Sequence, residues 1–322
     1  MNIDMIRAAA KRIDGFAQRT PLLTSSFLDA IAGRRVWVKP ECLQHTGSFK
    51  FRGAYSALSA MDEKTRARGV IAFSSGNHAQ GVALAAKMHG TNAVIIMPSD
   101  APALKIANTK AYGAEVVLYD RTTESRDEIG ARLSEERGLT LVKPFDDPQV
   151  IAGQGTCGLE IAEDANALGI KNADVIVCCG GGGLTSGIAL ALEADAPTLR
   201  VRPAEPAGFD DVARSLRAGK IERNPSLSGN ICDAIITPQA GDLTWPHLHR
   251  LCGPGLVVSE DEVLDAMAQA FLRLKVVAEP GGAAALAAAL SRKDEIESED
   301  VIVTISGGNV DPAMFARALE RL

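Results

Sequence analysis

The chain has 322 residues, room for two domains of about 150 residues each, and its 46% hydrophobic fraction excludes a disordered or fibrous chain. With 34 basic and 40 acidic side chains the net charge is −6, so there is no broad basic face to neutralise a nucleic-acid backbone. The longest apolar stretches, such as 282–290, fall far short of the ~20 residues of a membrane helix, and residues 1–10 mix acid and base without an apolar signal core. A soluble cytoplasmic protein without nucleic-acid or membrane partners is expected.

From residue 69 onward, strand-like runs alternate with helix-like ones. The segments 70–74, 93–97, 115–119, 140–142, 174–179, 199–204 and 301–306 are continuous apolar runs of the kind buried on both faces of a parallel sheet. Between them lie segments of helical length, such as 78–89 stopped by Gly90, 122–137 stopped by Gly138, 184–192 and the Ala-rich 282–289. Repeated β-α-β units predict an α/β, doubly wound fold. The polar stretch 62–68 and the Pro- and Asp-marked stretch 144–148 bound a block of roughly four such units. Residues 69–147 are therefore expected to form a small mobile substrate domain, inserted into a larger domain made of 1–68 and 148–322, with ligand in the cleft between them. The six cysteines show no paired metal spacing, and Cys178 and Cys179 read as small buried hydrophobes in a reducing compartment.

Four segments carry possible chemistry. Lys50 follows Thr46-Gly47-Ser48-Phe49 at the start of a helix, where nearby N–H groups and the positive helix end favour the neutral amine that Schiff-base chemistry requires; a surface lysine beside a cap is the plainer alternative. Gly180, Gly181, Gly182 and Gly183 stand between a strand and a helix, so their N–H groups can converge on a phosphate, although the loop is neither a Walker loop nor a G-x-G-x-x-G fingerprint. Ser74-Ser75-Gly76-Asn77-His78 also joins a strand end to a helix start and can hold a carboxylate, or simply cap the helix. Ser306-Gly307-Gly308-Asn309 follows the last strand in the same way.

In order, these segments, with Ala152-Gly153-Gln154-Gly155-Thr156 and the run beginning Glu279-Pro280-Gly281-Gly282, resemble the fold-type II pyridoxal-phosphate enzymes. The similarity spans nearly the whole chain and is greatest to the serine/threonine dehydratase and serine racemase branch, 3-hydroxyaspartate dehydratases included. The resemblance implies two doubly wound domains like the tryptophan synthase β chain, with pyridoxal 5'-phosphate in the interdomain cleft. It implies that Lys50 carries the cofactor, Phe49 packs on its ring, Asn77 meets its phenolic oxygen and Ser306 its pyridine nitrogen. Gly180, Gly181, Gly182, Gly183 and Leu184 would hold its phosphate, and Ser75, Gly76 and His78 would surround the substrate carboxylate. Ser75, placed opposite Lys50, would be a second acid/base group that permits some racemisation. A neutral serine at the pyridine nitrogen favours rapid loss of a β-leaving group over a long-lived carbanion.

The resemblance further implies a divalent cation, magnesium, calcium or manganese, held by Glu205, the Phe209 carbonyl and Asp211. It implies a homodimer, and no regulatory domain of the biosynthetic threonine deaminase type is expected after Leu322. The expected reaction is β-elimination from a β-hydroxy amino acid. 3-Hydroxyaspartate is favoured over threonine or serine because Arg126 can engage a second carboxylate. His45 and the segment 230–234, which depart from the family pattern, are expected to flank the same pocket. A dinucleotide-binding oxidoreductase and a catalytically silent amino-acid sensor are the readings from other classes.

Overall fold

The computed structural model describes residues 1–74, 76–101, 103–120, 122–226 and 228–322. Its strands are β1 (Leu23–Thr24), β2 (Arg35–Pro40), β3 (Val70–Phe73), β4 (Ala93–Pro98), β5 (Glu115–Tyr119), β6 (Thr140–Leu141), β7 (Ala173–Cys178), β8 (Leu199–Pro206), β9 (Leu256–Val258) and β10 (Asp300–Ile305). They form two sheets, one ordered β1-β2-β10-β7-β8-β9 and one ordered β5-β4-β3-β6. Of these strands, only β1 runs antiparallel to its neighbour. The expected α/β class is what the molecule adopts.

Every residue of β4 and β7 is buried, as strands covered by helices on both faces must be. Beneath the larger sheet, the helix Pro280–Ser291 is buried from Pro280 to Ala289 and shares one apolar cluster with Ile176, Val301 and Val303. Its run of alanines lets the helix lie close to the strands at little side-chain entropy cost. The smaller sheet packs on the helix Asn77–Met88, and the same cluster takes Phe51, Ala54, Tyr55 and Leu58 from the helix Lys50–Ser59. Burial of that helix face fixes where Lys50 begins.

A buried charge network holds the other face of this helix. Arg52, 1% exposed, donates to both oxygens of Glu41 (2.7 and 2.8 Å) and of Glu160 (2.6 and 2.9 Å), while Lys39 in β2 donates to Glu160 at 2.7 Å. The two cations and two carboxylates neutralise one another away from water. The helix Pro148–Ala167, which carries Glu160, is capped by Asp147, whose carboxylate accepts from the N–H groups of Gln149 and Val150. The sequence pattern puts the start of the helix that precedes it in the chain at residue 122. It starts instead at Arg126, because Asp120 ties Thr122 into a turn and Ser125 serves as N-cap. Among the described residues, no helix is long and apolar enough to cross a membrane.

Candidate active site

A cavity of about 350 Å³ opens between the two sheets. Its walls follow the carboxyl ends of strands: Ser74 after β3, Gly180 after β7, Ser306 after β10 and Pro98 at the end of β4. In open parallel sheets these ends form the ligand crevice, because helix N-termini point into it. The cavity brings together Phe49, Lys50, Gly76, Asn77, His78, Arg126, Ser306, Leu184 and all four glycines of the loop 180–183. Ser75 lies outside the described residues.

The Lys50 side chain touches the cavity while its amine is enclosed by protein and donates to the Pro144 carbonyl at 2.7 Å. Burial pushes this ammonium down to about 8, against an opposing pull from Glu279. The amine sits 5.1 Å from the centre of the Phe49 ring. Enclosure, more than the helix end invoked from the sequence, thus prepares the neutral form.

Opposite it, the helix Gly183–Asp195 begins in the glycine loop, and Ser186 N–H is the first seen to donate backwards, to Gly182 O at 2.8 Å. The N–H groups of Gly183, Leu184 and Thr185 therefore form the free first turn. Gly182 has φ +89°, and a Cβ on Gly181 would lie 2.3 Å from the Phe145 ring, so side chains are excluded from the loop. The Thr185 hydroxyl, buried at the same helix start, makes no hydrogen bond. An unpartnered hydroxyl, unpaired N–H groups at a positive helix end and an enclosed amine match the phosphate and aldehyde ends of pyridoxal phosphate. The residues fit that cofactor.

His78 is buried and its Nε2–H donates to the Val142 carbonyl at 2.8 Å, leaving Nδ1 unprotonated and without a partner. Burial, then the nearby Lys50 charge, pushes the ring down to about 3, so it is neutral at physiological pH. Asn77 donates from Nδ2 to Glu279 and accepts at Oδ1 from Asn309 Nδ2 at 2.7 Å, which leaves one Nδ2 proton for a further acceptor. Gly76 N–H donates to the Ser74 hydroxyl at 3.1 Å. Arg126 extends over the Phe73 ring, 5.9 Å from its centre, with its side chain 56% exposed and Asp127 at 3.4 Å.

Glu279, Lys105, Gln154, Thr185 and Phe145 also line the cavity, and sequence reading gives none of them a role; Asp233 lines it too, within the segment expected to flank the pocket. Burial pushes the Glu279 carboxyl up to about 7. Its sequence signal is an acid directly before an apolar, glycine- and alanine-rich run. His45 does not line the cavity, contrary to expectation: its ring packs edge-on against Phe51, with centroids 5.0 Å apart, under the helix that carries Lys50. The segment 230–234 reaches the cavity only through Asp233 and Ala234.

At the far end of β8, Glu205 and Asp211 are both buried. Glu205 accepts from the N–H groups of Val212 (2.9 Å) and Ala213 (2.7 Å), and Asp211 Oδ1 accepts from Asn224 at 2.6 Å, while Asp211 Oδ2 is buried without a partner. Phe209 lies buried in the turn between them. Among the described residues, no group of three or more His, Cys, Asp or Glu side chains gathers as a metal site. Two adjacent buried carboxylates with an open oxygen nevertheless suit a hard cation completed by carbonyls and water.

The sequence profile described as pyridoxal-phosphate dependent enzyme matches residues 13–308. The chain is 44% identical over 317 residues to an L-threo-3-hydroxyaspartate ammonia-lyase of Pseudomonas sp, covering 98% of both chains. It is 43% identical over 325 residues to a serine racemase of Oryza sativa subsp. indica, covering 99% of this chain and 94% of that one. The structure of maize serine racemase superposes with a TM-score of 0.91 at 40% identity, covering 99% of this chain and 97% of the other. A lysine and a phosphate cup facing one cleft, on a fold shared with these proteins, have one explanation: the chain belongs to the pyridoxal-phosphate-dependent enzymes of fold type II.

Proposed function

We propose that the protein is an ammonia-lyase that eliminates water from a β-hydroxy amino acid, with 3-hydroxyaspartate as its favoured substrate and oxaloacetate and ammonia as products. The observation that carries this reading is the enclosed Lys50 amine on a residue that lines the same cavity as the glycine loop. Bound pyridoxal phosphate supplies the electron sink that makes the substrate α-proton acidic. Lys50 Nζ takes that proton, a task suited to an amine held close to neutrality. The β-hydroxyl takes up the proton that Lys50 Nζ removed and departs as water, and hydrolysis of the dehydrated amino acid yields the keto acid and ammonia. The Gly76 and His78 segment, with Ser75 beside it, receives the α-carboxylate, and the remaining Asn77 Nδ2 proton serves the phenolic oxygen. Ser306 faces the pyridine nitrogen, and the free N–H groups of Gly183, Leu184 and Thr185 hold the phosphate.

The 44% identity to an L-threo-3-hydroxyaspartate ammonia-lyase supports the dicarboxylate, as does Arg126 on the cavity wall. A second carboxylate buried without a cation would cost several kcal/mol. Serine racemisation, with Ser75 as the second acid/base group, is the second reading, favoured by the rice relative. We also assign a divalent cation to Glu205, Phe209 and Asp211, a homodimeric assembly, a mobile domain over residues 69–147, and the cytoplasm as location, the last because all six cysteines are free. Keto-acid release from the 3-hydroxyaspartate diastereomers, threonine and serine tests the substrate. Preference for a 3-hydroxyaspartate diastereomer supports the assignment; preference for serine or threonine contradicts it, and ligand binding without turnover contradicts the enzyme.

A further inference from the structure

Among the described residues, the Lys, Arg, Asp and Glu side chains that line the cavity are Lys50, Lys105, Arg126, Asp233 and Glu279. Lys50 is committed to the chemistry and Glu279 to Asn77. The remaining three decide what charge the outer cavity accepts. Lys105 lies on the helix Ala103–Ala111, whose Ile106 packs into the core of the smaller sheet. Asp233 lies between Cys232 and Ile235, both buried in the core of the larger sheet. Lys105 Nζ donates to Asp233 Oδ2 at 2.9 Å, so this ion pair spans the cavity from one sheet's layer to the other's.

We propose that Lys105 is a specificity-determining residue for the distal carboxylate of the substrate, and that Asp233 holds its place until the substrate arrives. The inference rests on the dicarboxylate reading given above. The two partners are unequally solvated, with the Lys105 side chain 21% exposed and that of Asp233 58% exposed. Asp233 can exchange its partner for water at little cost, because an exposed ion pair is worth little. Lys105, with less access to water, gains more from a new anion. Arg126 is 56% exposed and already beside Asp127, so by itself it offers a screened charge. A substrate lacking the second carboxylate leaves Lys105 on Asp233. A dicarboxylate displaces Asp233 and bridges the two layers through its own oxygens.

The test compares holoenzyme variants on 3-hydroxyaspartate and serine, which differ by the distal carboxylate. In Lys105→Met the ratio of kcat/KM for 3-hydroxyaspartate to that for serine falls by about 10- to 100-fold, the range for one charge-assisted hydrogen bond. Most of the change is in KM. Asp233→Asn raises the ratio, because Lys105 is freed, and this second variant separates selection from a structural role for the pair. Succinate, which cannot react, raises the holoenzyme melting temperature in the parent and more strongly in Asp233→Asn, but not in Lys105→Met. Equal loss on both substrates in both variants, or an unchanged ratio in Lys105→Met, overturns the inference while leaving the dicarboxylate reading intact. A parent that prefers serine overturns the dicarboxylate reading itself.

Discussion

Arg52→Met strips six hydrogen bonds from the helix that begins with Lys50: four run from the guanidinium to Glu41 and Glu160, and Thr156 and the Gln18 carbonyl accept the others. Among the described residues, Glu41, itself fully buried, keeps only the Thr20 hydroxyl at 2.7 Å as a direct side-chain partner. Burial alone raises the Glu41 carboxyl; the Arg52 charge and hydrogen bonds more than reverse this and hold it below the usual range. Breaking such a pair from one side costs about 3–5 kcal/mol, since the remaining charge is buried uncompensated. The pH sign follows. In the parent, Glu41 contributes stability above the unfolded carboxyl range and loses it as pH falls. In the variant its folded value lies above the unfolded one, so the penalty is full at pH 8 and eases towards pH 5 as the carboxyl takes up a proton. Urea unfolding of the holoenzyme at pH 5 and pH 8 measures both quantities. A loss under about 1 kcal/mol at pH 8, or a loss independent of pH, would refute the network's role.

In cofactor-free protein, Lys50→Met stabilises the fold at pH 7. The folded amine near 8 lies below its ordinary 10.5, so the unfolded chain binds the extra proton and the parent gains stability as pH rises between those values. The gain from the substitution, at most about 3 kcal/mol below pH 8, should vanish by about pH 10.5; a pH-independent difference speaks against an enclosed amine. Gly182→Ala forces a left-handed residue costing about 1–2 kcal/mol and puts a Cβ 2.6 Å from Leu248 Cδ1, so both the melting temperature and pyridoxal phosphate affinity, read by absorbance titration, should fall. Magnesium at about 100 times its Kd should add about 2.7 kcal/mol to stability, and chelator or Glu205→Gln should abolish that gain; parent and variant responding alike would remove the metal assignment.

The buried parallel strands were legible in the sequence because uninterrupted apolar runs such as those in β4 and β7 have one environment that suits them. β2 was not, because Arg35 and Lys39 break its run; Lys39 is buried because Glu160 and Asp164, far away in sequence, neutralise it and the Thr20 carbonyl accepts from it. β1 and β9 are two and three residues long and exist through pairing to neighbours rather than through pattern. The glycine loop and Lys50 were readable as local junctions between one element and the next. Glu279 and Lys105 were not, and Asp233 was placed only through its segment, since their environment comes from segments more than 100 residues apart meeting at the cleft. His45 shows the converse: an unusual residue next to a functional motif can face the core instead of the site.

The central claim is that Lys50 carries pyridoxal phosphate in this cavity. Purified protein should absorb in the visible range. Borohydride reduction followed by peptide mass spectrometry should then place one phosphopyridoxyl adduct on Lys50, none appearing in Lys50→Ala. A colourless protein, or an adduct on another lysine while Lys50 remains unmodified, would contradict the account.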